Sequence, residues 1–318
     1  MDFSWPLVVA GALVGVSVGL TGMGGGALMT PIMVMIFGVD PTAAIGSDLL
    51  ASVAMKPVGA AVHQRAGTVR WDLVRWLVPT AVPAGFAGAF VLHLFGDGPV
   101  LQHRVKLAIG VALLLAVAGM AARVLLARRR ETSAYTSDQP IMVRRIPTLI
   151  IGLVGGLIVG MTSVGSGSLI IVMLMLVHPR LRASHLVGTD LVQAIPLVAA
   201  AAAGHLVAGD TRLGLAGVLL IGAIPGIYLG AKLATRAPSG LLRWVLAILL
   251  LGSGLSLWHV PPIATVAICV GMAITAVIAA TVRRYRPDSA AAGLSASGDG
   301  AVERVSGALI TTPPRPGR

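Results

Sequence analysis

The amino-acid sequence predicts an all-α polytopic membrane protein built from two homologous repeats, inverted relative to one another. Each repeat starts with a broken or re-entrant helix pair, and a final transmembrane helix follows the second. Three observations lead there. Of the 318 residues, 56% are hydrophobic and 11% charged, with a mean hydropathy of +0.90, whereas a soluble domain carries roughly 25% charged residues. Long stretches contain no Asp, Glu, Lys or Arg: Phe3–Val39, Trp76–Gly96, Leu107–Ala122, Ile146–Pro179, Leu191–Gly209, Leu213–Ala231 and Trp244–Val282. Each reaches or approaches the roughly 20 apolar residues that cross a hydrocarbon core of about 30 Å. The third observation is that the chain repeats itself.

From Gly19 the sequence reads Gly-Leu-Thr-Gly-Met-Gly-Gly-Gly-Ala-Leu, and from Gly160 it reads Gly-Met-Thr-Ser-Val-Gly-Ser-Gly-Ser-Leu, an offset of 160 − 19 = 141. One residue further on in offset, Gly46-Ser47-Asp48-Leu49 matches Gly188-Thr189-Asp190-Leu191. His63 then matches His205, Gly67 matches Gly209, Arg70 matches Arg212, Pro83 matches Pro225 and Gly88 matches Gly230. A two-fold repeat in a polytopic chain is a signature of transporters.

The elements follow in order. Pro6 to Gly38 as one helix would span roughly 48 Å at 1.5 Å per residue, beyond the bilayer core. The glycines at 22, 24, 25 and 26 break it into two short helices with an unwound centre. Ordinary spans are expected near 42–63, 72–95 and 104–126, completing repeat 1 over residues 1–126. A basic loop over 127–146 carries Arg128-Arg129-Arg130 and Arg144-Arg145 and belongs on the cytoplasmic side. Repeat 2 covers 147–258. It opens with Pro147 to Val177, broken around Gly165-Ser166-Gly167, and continues with spans near 184–206, 212–235 and 240–258. Pro261-Pro262 turns the chain into a last span within 259–285, and the Ala, Gly, Ser and Pro-rich stretch 286–318 is expected to be a disordered tail.

Equivalent loops alternate in basicity. Loop 38–44 carries only Asp40 where 178–184 carries Arg180 and Arg182; segment 64–72 has a net charge of +1 where 206–214 has zero. Copies inserted upside down to each other give this alternation under the positive-inside bias. The net charge of +12 thus reflects membrane orientation rather than a nucleic-acid partner. The expected partners are the lipid bilayer and a small anionic substrate, with no nucleic acid, and a homo-oligomer is compatible with such a chain. The single cysteine, Cys269, lies in an apolar run and reads as packing.

Chemistry is confined to a few polar positions at depth. Thr21-Gly22-Met23-Gly24-Gly25-Gly26 resembles a phosphate loop, but no strand precedes it and no Lys-Ser/Thr follows. Its physics still applies, because free N–H groups at the start of the following half-helix favour an anion. The bland alternative is close helix packing. Duplication at Thr162, Ser163, Gly165, Ser166 and Gly167 favours a site. Asp48 and Asp190 read either as residues of the first helical turn or as coupling carboxylates for a proton or cation. Lys56, with Val198 as its counterpart, is a single asymmetric charge, either a counter-charge for substrate or a partner of Asp190. His63 and His205 read as interfacial residues held by loop carbonyls.

With these motifs in place, the sequence resembles the sulfite exporter TauE/SafE family of membrane permeases over about residues 6–258. The likeness rests on residues 19–31, Gly-Ser-Asp-Leu-Leu (46–50), Thr-Ser-Val-Gly-Ser-Gly-Ser-Leu (162–169), Val-Gly-Thr-Asp-Leu (187–191) and Ile-Pro-Gly-Ile-Tyr-Leu-Gly (224–230). It implies an inner-membrane or plasma-membrane exporter of small anions such as sulfite or sulfonates, without a cofactor or metal. Ser47 stands where the second half has Thr189, and Ser166 where the first has Gly25, so the half-sites differ. Two other classes were weighed: a cation carrier using Asp48 and Asp190, and an intramembrane enzyme with a Ser166–His205 dyad, which lacks a Gly-x-Ser-x-Gly setting.

Overall fold

The computed structural model describes residues 5–21, 26–96, 98–131, 143–179, 181, 183–234 and 239–285. These form eleven helices: α1 (Trp5–Thr21), α2 (Gly26–Met35), α3 (Pro41–Arg65), α4 (Trp71–His93), α5 (Gly98–Glu131), α6 (Arg145–Thr162), α7 (Leu169–Val177), α8 (Ala183–Ala208), α9 (Leu213–Ala234), α10 (Ser239–Leu257) and α11 (Pro262–Tyr285). Six of them are long and apolar enough to cross a membrane, and the chain is a multi-pass membrane protein. Residues 1–269 form one compact unit; 270–318 form a second, described only along the end of α11. The expected tail 286–318 lies outside the described residues.

The second long apolar stretch is broken as expected, into α6 and α7 on either side of 163–168, and the first is described only on either side of residues 22–25, as α1 and α2. The expected spans agree with the helices within a few residues. Both ends of α5 move: it starts at Gly98 rather than near 104, and it continues to Glu131, into the segment 127–146 expected to be loop. Ala, Arg and Glu at 127–131 are good helix formers, so the charges ride on a helix end instead of ending it.

The halves pack by exchange. Gly11 of α1 presses on the Leu219 backbone of α9, and Gly152 of α6 presses on the Leu77 backbone of α4. Since 152 − 11 = 141 and 219 − 77 = 142, this is one contact made twice with the halves exchanged. Gly15 on Ala223 and Gly156 on Ala81 repeat it one turn later. In both seams a Cβ on the glycine would meet a backbone carbonyl, so only glycine lets the helices approach this closely. Water is absent from a bilayer core, so large side chains can also face outward at no hydrophobic cost, as Val9 and Leu13 do on α1, Ile150 and Leu153 on α6, and Ile221 and Ile224 on α9, while Val14, Ile151 and Leu219 of the same helices are buried.

Between α3 and α8, which are themselves equivalents, the contacts run in opposite chain directions. Gly46 lies against His205, Gly59 against Leu191, and Gly188 against Thr68. Polar side chains follow the same exchange. Ser47 Oγ donates to the Arg212 carbonyl at 3.3 Å, and Thr189 Oγ1 accepts from the Arg70 N–H at 3.0 Å. α5 packs on α10 through Gly110 and Gly254, where Trp258 Nε1 donates to Leu107 O at 3.2 Å.

Candidate polar site at the helix breaks

α6 ends because Ser163 adopts a left-handed conformation (φ 58°) and returns its N–H to Val159 O at 2.7 Å. Gly165 (φ 112°) and Gly167 (φ 94°) carry the chain through conformations that side-chain-bearing residues avoid. α7 then starts, with the N–H of Leu169 on Gly165 O at 3.0 Å. Thr162 steadies the break locally: its hydroxyl lies 2.7 Å from Ile158 O and accepts from the Val164 N–H at 3.2 Å. Gly26, the first residue of α2, sits so close to Ser163 O that a Cβ there would collide with it. The start of α2 therefore meets the break between α6 and α7.

Asp48 stands at that meeting point. It is the eighth residue of α3, as Asp190 is of α8, so neither carboxylate belongs to a first helical turn. Asp48 is fully buried. Its Oδ2 accepts from Thr30 Oγ1 of α2 at 2.9 Å and from Ser163 Oγ of the second break at 2.5 Å, tying a residue of each half to one oxygen. Its other oxygen, Oδ1, is buried and has no hydrogen-bond partner among the described residues. Two turns along α3, Lys56 is buried and donates to Ser166 Oγ at 2.7 Å. Both carboxylates act electrostatically on this ammonium, Asp190 more than Asp48. Asp190 Oδ1 accepts from Gln193 Nε2 at 3.0 Å, and Gln193 Oε1 is a second buried acceptor left open among the described residues.

Of the residues singled out from the sequence, Gly26, Asp48, Lys56, Ser163, Ser166 and Asp190 thus belong to one polar region, framed by Thr162, Gly165 and Gly167. Thr21 closes α1, while Gly22, Gly24 and Gly25 lie outside the described residues. Thr30 was missed. It sits in the quoted motif before Pro31, but its repeat counterpart is Ile171, so the repeat pattern gave it no weight. Gln193, one turn after Asp190 on α8, is the amide partner of that carboxylate.

The serine–histidine dyad is not assembled. Ser166 is held by Lys56, and His205 gives its ring nitrogens to Gly160 O at 2.8 Å and Asp210 Oδ2 at 3.0 Å. Three or more His, Cys, Asp or Glu side chains arranged for a metal ion do not occur among the described residues. His178, in the connection after α7, bonds Thr148 Oγ1 at 3.0 Å. Burial and then the Arg144 guanidinium hold its imidazole below the usual histidine range.

Comparison with known proteins agrees with this architecture. The family model described as Sulfite exporter TauE/SafE matches residues 7–257. A probable membrane transporter protein of Bacillus subtilis, YjnA, is 36% identical over 255 residues, covering 79% of this chain and 98% of its own length. A second from the same organism, YdhB, is 25% identical over 231 residues, covering 73% and 90%. A probable membrane transporter protein of Xylella fastidiosa is 30% identical over 164 residues, covering 51% and 59%. No solved structure matches at the same level of significance.

Proposed function

The chain belongs to the sulfite exporter TauE/SafE family of membrane transporters, and we propose that it carries small anions such as sulfite or sulfonates out of the cell through the polar region around the break between α6 and α7. The observation that carries this reading is Lys56. A buried ammonium is costly in a bilayer, and this one reaches from α3 into the second break, onto Ser166, where an anion would also find unwound backbone. In this reading the halves are inverted repeats. The opposed run of α3 and α8 contacts supports that, because a helix antiparallel to its own equivalent belongs to a copy turned over in the membrane.

Uptake of labelled sulfite, against other oxyanions, into inverted vesicles tests the substrate. Lys56→Met is expected to weaken affinity for every anion carried, and Lys56→Arg to keep part of it. Unchanged affinity in a well-folded Lys56→Met protein would remove the lysine from anion binding. Single cysteines made by Gly67→Cys and Gly209→Cys in a Cys269→Ser background are expected to label from opposite sides, and labelling from one side would show parallel repeats.

A second reading, with Asp48 and Asp190 as coupling groups for a proton or cation, is favoured by Oδ1 of Asp48, a buried acceptor without a donor among the described residues. Asp48→Asn should then abolish the response to a pH or cation gradient while leaving anion exchange. Full gradient-driven transport by both Asp48→Asn and Asp190→Asn would refute coupling through them.

A further inference from the structure

Where α6 stops, the carbonyls of its last turn lose their helical partners. Gly160 O would accept from the N–H of Val164 in an unbroken helix, but that N–H is taken by Thr162 Oγ1. His205, fully buried on α8, fills the vacancy with its Nε2 at 2.8 Å from Gly160 O. Its Nδ1 lies 3.0 Å from Asp210 Oδ2, and His93 Nε2 of α4 lies 3.3 Å from the same oxygen. A carbonyl only accepts, so Nε2 carries a hydrogen. Nδ1 faces a carboxylate oxygen, so that bond also needs a hydrogen. The pair therefore holds one proton more than a neutral imidazole beside a free carboxylate.

We propose that His205 and Asp210, with His93 as their outer partner, form a proton-held latch that fixes the broken end of α6, and through it Ser163 on Asp48. The groups around the ring are few. α4 presents His93, the α8–α9 connection presents Asp210, α6 presents the Gly160 carbonyl, and α3 presents Gly46. The Arg212 side chain is exposed. The related end of the first half needs no such proton. There the Thr68 hydroxyl donates to His63 O at 3.0 Å and accepts from His63 Nδ1 at 2.9 Å, which a neutral ring satisfies.

Without the shared proton an Nδ1 lone pair would face a carboxylate, and the contact would repel rather than hold. Asp210→Asn removes the need for that proton without removing the latch, because an amide N–H donates to a neutral Nδ1 while Nε2–H still reaches Gly160 O. His205→Ala removes the latch itself.

The test requires no transported anion, so it stands or falls apart from the proposed substrate. Val164, in the break, is fully buried, and Val164→Cys in a Cys269→Ser background reports its opening to a soluble maleimide. Rates are taken at one pH, relative to the same protein denatured. His205→Ala should raise the relative rate about tenfold, the worth of one charge-assisted hydrogen bond, and Asp210→Asn should leave it near that of the chain unaltered at both positions. A His205→Ala rate equal to that of the unaltered chain overturns the latch. Asp210→Asn as reactive as His205→Ala overturns the shared proton.

Discussion

Removing the Ser163 hydroxyl probes how the halves are joined. Asp48 is fully buried, and both its donors, Ser163 and Thr30, reach Oδ2. A hydrogen bond to a charged group contributes about 1.5–3 kcal/mol, so Ser163→Ala should lower the folding equilibrium roughly 10- to 150-fold. Ala keeps the Cβ, so the left-handed backbone at 163 costs the same in both proteins. In an Asp48→Asn background the acceptor is neutral, and the same substitution should cost only about 0.5–1.5 kcal/mol. The difference between backgrounds is the coupling between the serine and the charge. Thr30→Val combined with Ser163→Ala should exceed the sum of the two, because it strips both donors found among the described residues from a buried carboxylate. Unfolding in mixed micelles, followed by tryptophan fluorescence, measures each. A cost below about 0.5 kcal/mol in both backgrounds would refute the claim that the Asp48 charge joins α2 to the second break.

Gly156→Ala places a Cβ 2.5 Å from Ala81 O and should destabilise by about 1–3 kcal/mol as α4 and α6 separate. Gly217→Ala, on the open side of α9, should stabilise by about 0.5–1 kcal/mol through helix propensity; thermal melts read both. If Asp190 rather than an anion neutralises Lys56, Lys56→Met will lower the melting temperature and adding Asp190→Asn will restore it. His178 is held below its ordinary value of 6.5, so the unfolded chain binds its proton first. Its contribution to stability should be complete above that value and lost as pH falls through and below it, and His178→Gln should flatten the acid side of a stability–pH curve.

The helices and their breaks were legible in the sequence because each leaves a one-dimensional mark. Charge-free runs give spans, and Gly22 to Gly26 and Gly165 to Gly167 interrupt runs too long for one crossing. Asp48, Lys56, Ser163 and Ser166 were legible as polar residues at depth. Their partners were not. The Ser163–Asp48 and Lys56–Ser166 bonds join residues over a hundred positions apart, and nothing local specifies which hydroxyl meets which charge. The exchange of α1 and α6 between the halves was hidden for the same reason. Gly11, Gly15, Gly152 and Gly156 announce close packing without naming the helix they pack on. His205 read as a loop-bound histidine, whereas it holds a carbonyl freed by a helix break 45 residues away.

The glycine seams keep the two halves alike, while the site has diverged. Thr30 faces Ile171 as its counterpart, Ser163 faces Gly22, Ser166 faces Gly25, Lys56 faces Val198 and Gln193 faces Ala51. Among the charged residues of the site, only the carboxylates, Asp48 and Asp190, are kept in both. Two carboxylates and one ammonium, each charged, leave a net charge of −1 in a region of low dielectric, and an entering anion would raise it to at least −2. Burying charge at that level is costly, and a proton or small cation entering with the anion would offset it. Asp48 Oδ1 and Gln193 Oε1 are the buried acceptors that a proton or small cation would meet. If the centre carries an anion as proposed, this charge count favours moving it past Lys56 together with a compensating positive charge, which is the coupling that the Asp48→Asn and Asp190→Asn variants test.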